Sequence, residues 1–291
     1  MVFDSIPSFE EFSATFSSDE ECVRHMFKVR FGKNYPCPKC TKAGPWYLNT
    51  RRYFGCSRCG TQLNAKSGTV FNHSKSSIVD HFMAIYLSCI STYGVPADVM
   101  STFLGLPKPT AWMISNRVRR HIAGLRQPQR LGGEGQIIEV DETLLRQVRS
   151  GPDAERHVTI FGITDGHEYL SFIVPNRKPA TLLPIIDKWV RPGSEIHSDG
   201  FGTYRLLNLN KYTHKTVNHK AGFTISPDGA STVRIDQFWG RLKRTIYRVC
   251  HGVHYAHLES YLKECEQRAF WKKDRLGFLN SAFSQFPVVQ T

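Results

Sequence analysis

Residues 225–248 read ISPDGASTVRIDQFWGRLKRTIYR and set one carboxylate, Asp236, at the head of an amphipathic, strongly basic helical pattern. Ile235, Phe238, Trp239, Leu242 and Ile246 recur at three- and four-residue intervals, the period of a helix face turned toward a core. Arg241, Lys243, Arg244 and Arg248 crowd the remaining surface. An acid among cations and aromatics suits a place where a polyanion meets a metal. Taken alone, the same pattern describes a solvated charged helix on an ordinary core stripe. The two readings separate on whether other acids converge on Asp236.

Two others are placed to do so. The stretch QIIEVDETLL (136–145) is a strand, with Ile137, Glu139 and Asp141 on one face and Ile138, Val140 and Glu142 on the other. An acid inside a buried-type strand is costly unless it is paired or binds a metal. A short strand over 194–200 ends at Asp199, where ligand groups of α/β sheets collect. Asp199 could equally cap a helix expected over 202–209. Further strands are expected at 157–164, 169–174 and 213–218, and helices at 179–190, 231–249 and 255–271. A turn is expected at Gly151-Pro152-Asp153. This order implies an α/β domain over 136–291, a mixed sheet with flanking helices. Asp141, Asp199 and Asp236 could together hold two Mg²⁺ (or Mn²⁺) ions about 4 Å apart. Such a pair activates a water and stabilises the leaving oxygen of a phosphodiester.

Upstream, a helical segment over 9–31, within a region 1–32, precedes YPCPKCTKAGPWYLNTRRYFGCSRCG. Cys37/Cys40 and Cys56/Cys59 form two CxxC pairs whose spacing matches a four-thiolate zinc shell. A segment this short (33–66) needs Zn²⁺ to fold, and four ligands leave no open position, so the metal is structural. Cys22, Cys89, Cys250 and Cys265 read as buried inert thiols. Helical stripes follow over 78–93, 96–103 and 110–125. A short helix, a Gly-containing turn and a basic helix make a helix-turn-helix pattern within 67–126. Its last helix carries Arg117, Arg119 and Arg120 for DNA; a plain three-helix bundle with a solvated basic face is the alternative. QPQRLGGEG (127–135) is a Pro/Gly-rich linker.

Composition sets the partner class. Lys and Arg outnumber Asp and Glu by 38 to 25 in 291 residues, a net charge of +13, which favours a nucleic-acid or anionic-surface partner. No apolar run approaches the roughly 18 residues of a membrane span. The opening MVFDSIPSFEEF carries acids and no basic leader segment, so a soluble intracellular protein is expected.

The order zinc ribbon, helix-turn-helix and acidic strand domain resembles the IS1595/IS1016 and Merlin group of DDE transposases. The resemblance rests on IIEVDET (137–143), KPATLLPII (178–186), PGSEIHSDGFGTY (192–204), TVNH (216–219) and FWGRLK (238–243). It implies an N-terminal zinc ribbon and helix-turn-helix followed by an RNase H-like catalytic domain. The implied activity cuts double-stranded DNA at terminal inverted repeats and joins the 3′-hydroxyl to target DNA with a divalent metal. A homodimer or higher oligomer on DNA would do this, with no membrane involved. By motif the three acids are Asp141, Asp199 and Asp236, and Arg241, Lys243 and Arg244 would grip backbone phosphate. His219 and Asn218 would orient substrate or serve structure. A Merlin-like copy would act in a nucleus, any other in the cytoplasm. Two departures stand out. The family has Glu where this chain has Asp236, and His-Thr-Asn/Gln where it has Ser231-Thr232-Val233. Aspartate falls roughly 1.5 Å short of glutamate's reach on the same backbone, so a domesticated, non-cleaving DNA binder is the alternative function.

Overall fold

The computed structural model describes residues 3–149, 155–200, 202–217 and 225–288. The expected turn at Gly151-Pro152-Asp153, and Asn218 and His219, lie outside the described residues. The chain divides into two units, residues 1–125 with 273–291, and residues 126–272.

In the first unit the segment expected as one helix is two, α1 (Phe9–Thr15) and α2 (Asp19–Phe31). Ser18 accepts from the Glu21 amide while Glu21 reaches back to the cap backbone, and Ser8 and Glu11 do the same one helix earlier. A capping box starts a helix wherever it occurs. The ribbon follows as a three-stranded antiparallel sheet of β1 (Trp46–Leu48), β2 (Phe54–Cys56) and β3 (Gln62–Leu63). Next come α3 (Ile78–Ile90), α4 (Ala97–Leu104) and α5 (Lys108–Ala123). Gly105 ends α4 in the left-handed region (φ +64°) and its amide closes onto Ser101 and Thr102. Only glycine takes that geometry without steric cost, and it turns the chain into α5 as a helix-turn-helix requires.

The second unit is built on a mixed sheet. Its elements are β4 (Ile137–Arg149), β5 (Glu155–Thr164), β6 (Tyr169–Val174), α6 (Pro179–Trp189), β7 (Glu195–Asp199) and β8 (Thr213–Val217). They are followed by α7 (Val233–Lys243), a π-helical turn (Arg244–Val249), β9 (Val253–His254) and α8 (Tyr255–Phe270). A 3₁₀ turn at Gly202–Leu206 stands where a helix is expected, and β4 and β5 run longer than the strands expected at 136–145 and 157–164. The strand order is β6-β5-β4-β7-β8, with β9 also beside β4. The first three strands run antiparallel, and β4, β7 and β8 run parallel. This is the RNase H-like arrangement, with helices on both faces. Leu182 and Ile186 of α6 pack with Ile138, Val140 and Ile196 on one side. Ile235, Phe238, Trp239 and Leu242 of α7 pack with Leu145, Ile160 and α8 on the other. The edge strand β6 is blunted by α8: Glu266 accepts from the Ser171 amide (2.7 Å) and Lys263 donates to its carbonyl (3.2 Å). Satisfying an edge in this way removes a template for pairing with another chain.

The C-terminus departs from the boundary expected for the catalytic domain. A last helix, α9 (Arg275–Ser284), belongs to the first unit, where Phe283 packs against Phe12, Phe16 and Phe82. Two histidines hold its final turn. His25 Nε2 donates to the Phe283 carbonyl (2.7 Å) and His121 Nε2 to the Ala282 carbonyl (2.8 Å). Terminal helix carbonyls have no intrahelical partner, so these donors fill an obligatory vacancy. Burial lowers both histidines, and it draws His121 and His81 down from 6.5 to about 4. The neutral rings are therefore preferred in the fold, and their stabilisation is lost as pH falls from 6.5 through about 4. Circular dichroism on acidification should show the first unit losing helix in that window. His121→Gln, which keeps a donor but does not titrate, should move the midpoint to lower pH.

Candidate metal centres

The sheet register explains how the acids meet. Along the parallel pair β4 and β7 the last partnered positions are Glu139 and His197. Two residues beyond each come Asp141 and Asp199, side by side where β7 ends and β4 runs on against β5. Glu142, expected on the opposite face, joins them. Asp141, Glu142 and Asp199 each offer a carboxylate oxygen within 4.8 Å of the others. Between the end of β7 and the pairing of β9 at Val148, no described strand flanks that edge of β4, so an adjacent glutamate can reach the same space.

Asp141 and Glu142 each have a side-chain donor fixed on them. Trp239 Nε1 donates to Asp141 Oδ2 at 2.8 Å, and Tyr204 donates its hydroxyl to Glu142 Oε1 at 2.7 Å. Trp239 is seated there because Gly162, the β5 partner of Asp141, has no side chain. A Cβ at Gly162 would stand 2.6 Å from the indole ring. Burial, then the charges of Asp236, Glu142 and Asp199, push the Asp141 carboxyl up to about 7 against the pull of the Trp239 N–H. Burial also raises Glu142, although the Tyr204 hydroxyl opposes it. Burial and the adjacent carboxylates keep the Tyr204 phenol protonated far above its usual range, so it remains a donor.

Asp236 is not one of the three clustered carboxylates. It lies on the exposed side of the first turn of α7, accepts from Thr232 Oγ1 at 3.2 Å, and is the strongest of the charges acting on Asp141. The placement of α7 itself is set by two buried residues paired across β4 and β7. Glu139, only 1% exposed, accepts from the Ile235 amide (2.9 Å) and from Arg234 Nε (2.7 Å). An acid at a helix N-terminus satisfies orphan amides and opposes the positive end of the dipole. His197 Nδ1 accepts from the Ser231 amide (3.1 Å), and its Nε2 donates to Glu195 (2.8 Å). The costly buried acid of the strand pattern is therefore Glu139, and its partner is the helix that carries Asp236.

In the first unit the four expected thiols converge. Cys37 and Cys59 sulfurs lie 3.5 Å apart, and those of Cys40 and Cys56 lie 3.8 Å apart. Four sulfurs about 2.3 Å from a tetrahedral zinc stand about 3.8 Å from one another, so the shell fits Zn²⁺. The two knuckles repeat one turn: Thr41 and Gly60 donate to the carbonyls of Cys37 and Cys56, and Cys37 and Cys56 donate to Lys42 and Thr61. The Thr61 hydroxyl and amide draw the Cys59 thiol down to about 6, toward the thiolate that binds metal.

The expected DNA-contacting cations are less uniformly placed. Arg117 spends its guanidinium on the carbonyls of Val70 and Asn72. Arg119 is 6% exposed. Arg119 lies on the side of α5 that carries Ser115, Val118 and Ile122, whereas Arg117 is half-buried beside the exposed face and held against those carbonyls. Arg120 is exposed. In the second unit Arg241 lies over the Tyr169 ring (5.7 Å to its centroid), Lys243 is half-buried and Arg244 exposed.

Residues 131–269 match the family model described as the ISXO2-like transposase domain. Residues 17–62 match that of the transposase zinc-ribbon domain. An uncharacterized transposase-like protein of Haemophilus influenzae is 38% identical over 96 residues, covering 33% of this chain and 76% of that protein.

Proposed function

This chain belongs to the IS1595 family of ISXO2-like transposases, and from that premise we propose that it cuts DNA at transposon ends and joins the 3′-hydroxyl to target DNA. The observation that carries the reading is the convergence of Asp141, Glu142 and Asp199 within 4.8 Å. Hard oxygen donors in this number suit Mg²⁺ or Mn²⁺. An Asp141 carboxyl raised to about 7 by burial and by its fellow acids is a site that a cation would relieve. When bound, such ions activate the attacking water or hydroxyl and stabilise the leaving oxygen.

The chain's own residues supply the rest. Asp141 and Asp199 would hold a divalent metal, with Glu142 beside them and Asp236 as a further ligand. Trp239 fixes one Asp141 oxygen and leaves the other for a ligand, while Tyr204 orients Glu142. Lys243 and Arg244 grip backbone phosphate, with Arg241 packed behind them against Tyr169. The zinc ribbon and helix-turn-helix recognise terminal inverted repeats, and a homodimer or higher oligomer brings two ends together. No described helix is long and apolar enough to cross a membrane. The similar protein is bacterial, which favours the cytoplasm over a nucleus.

The position of Asp236 outside the three-acid cluster favours a second reading, a DNA binder with this fold and no cleavage. Duplex carrying the sequence that flanks the coding region, incubated with the full chain and Mg²⁺, separates the two. Strand breaks at the repeat end that disappear in Asp199→Asn support the transposase. Binding without breaks supports the binder.

A further inference from the structure

With Arg119 buried and Arg117 held on the carbonyls of Val70 and Asn72, the exposed face of α5 is carried by other residues. Lys108, Trp112, Asn116 and Arg120 follow one another at four-residue steps, with Met113 alongside. Ala111, Ile114, Ser115, Val118 and Ile122 are buried on the other side. Met113 is 55% exposed and Trp112 37%. We infer that Trp112, Met113 and Asn116, flanked by Lys108 and Arg120, form a reading head for the major groove of duplex DNA. In it the apolar members select thymine methyls. The inference rests on the DNA-binding reading above and adds what that reading lacks, a source of sequence preference.

Three observations support the occupant. The α4–Gly105–α5 turn makes α5 the second helix of a helix-turn-helix, the one whose N-terminal residues meet base edges. Lys108, Trp112, Met113 and Asn116 all fall in the N-terminal nine residues of α5. Charge agrees: the first turn of α5 contains no acid and begins with Lys108, so the positive helix end and a cation face the same polyanion. The remaining chemistry matches base edges. Asparagine pairs with the N6 and N7 of adenine in bidentate fashion, and apolar side chains cover the C5-methyl of thymine. Guanidinium readout of guanine falls to the exposed Arg120, since Arg119 is buried and Arg117 is engaged by backbone carbonyls.

The test uses the full zinc-loaded chain and a randomised duplex library. Wild type should enrich a motif containing A·T pairs. Within that motif, replacing single thymines by deoxyuridine removes only the methyl group. At one or two positions this should weaken wild-type binding roughly fourfold, the worth of one buried methyl. Met113→Ala or Trp112→Ala should erase the penalty at its own position while leaving the salt dependence of binding unchanged. Asn116→Ala should relax an adjacent adenine preference. If Trp112→Ala fails to fold, the well-exposed Met113 carries the test by itself. Enrichment of a motif that deoxyuridine and these variants leave untouched would overturn the inference. So would a Met113→Glu variant that dissociates a DNA-free dimer, since the face would then belong to a second copy. Salt-sensitive binding to all duplexes without any motif sinks this inference alone. Failure to bind any duplex sinks the DNA-binding reading itself.

Discussion

Stripping zinc from the chain, or replacing Cys37 or Cys59 by serine, is expected to unfold residues 33–66 and abolish specific DNA binding. The ribbon strands span three, three and two residues, and no sheet that small is stable in water unaided. Structural zinc in comparably small sites contributes about 10–16 kcal/mol of apparent binding energy near neutral pH, far more than the sheet can supply. The sulfur separations of 3.5 and 3.8 Å show that the backbone already holds the four thiols at zinc's spacing. Serine at one position breaks the shell and leaves the other three ligands short of a tetrahedron. Limited proteolysis should then cleave within 33–66, while the melting of the second unit stays where it was. Purified wild-type protein should contain one zinc per chain, and Asp141→Asn should contain the same. Folded protein without zinc would contradict the assignment.

The second large effect is at Asp141. Asp141→Asn keeps an acceptor for the Trp239 N–H but removes a charge from the centre of the acidic cluster. Cleavage should fall at least roughly 1,000-fold, about 4 kcal/mol of transition-state stabilisation, while DNA affinity is retained. Stability should move the other way. The folded Asp141 carboxyl sits at about 7 against an ordinary 3.8. Its contribution is therefore fully present below about 4 and is lost as pH rises through about 7. At pH 8 without divalent metal, Asp141→Asn should melt several degrees higher than wild type, and the gap should narrow as pH falls and close near pH 4. Adding Mn²⁺ should stabilise wild type and leave the variant nearly unchanged. A variant that cuts as well as wild type, or melts lower at pH 8, would contradict the site.

Much of this is legible in the sequence, and the reasons differ by element. The paired CxxC spacing is a chemical constraint, so the ribbon is readable from it. The strand at 137–145 and the short strand ending at Asp199 are readable from pattern, and their parallel register then sets Asp141 beside Asp199. Glu142 is not readable from pattern, because period-two alternation sends it to the opposite face. It joins the cluster only because β7 stops at Asp199, a fact of register. The buried role of Glu139 is foreshadowed by the cost of an acid in a strand, but its partner, the Ile235 amide, is 96 residues away. The surroundings of Arg117 and Arg119 are unreadable for a related reason. A cation on an amphipathic helix is normally solvated, whereas here backbone carbonyls at Val70 and Asn72 draw one arginine inward. The split at Ser18 is open to reading, since Ser18 and Glu21 spell a capping box. The return of α9 to the first unit is not, because two carbonyl–histidine bonds and a phenylalanine cluster decide it at long range.

The central claim is that these acids, Asp236 included, cut DNA with a divalent metal. Strand cleavage of flanking-end duplex by wild type, Asp236→Asn and Asp236→Glu, with affinity measured in parallel, tests it most directly. Wild type should cut with Mg²⁺, Asp236→Asn should bind equally and not cut, and Asp236→Glu, with its longer reach, should cut at least as well as wild type. If all three bind the ends equally and none cuts with Mg²⁺ or Mn²⁺, the acids are not a catalytic centre and the chain is a DNA-binding protein only.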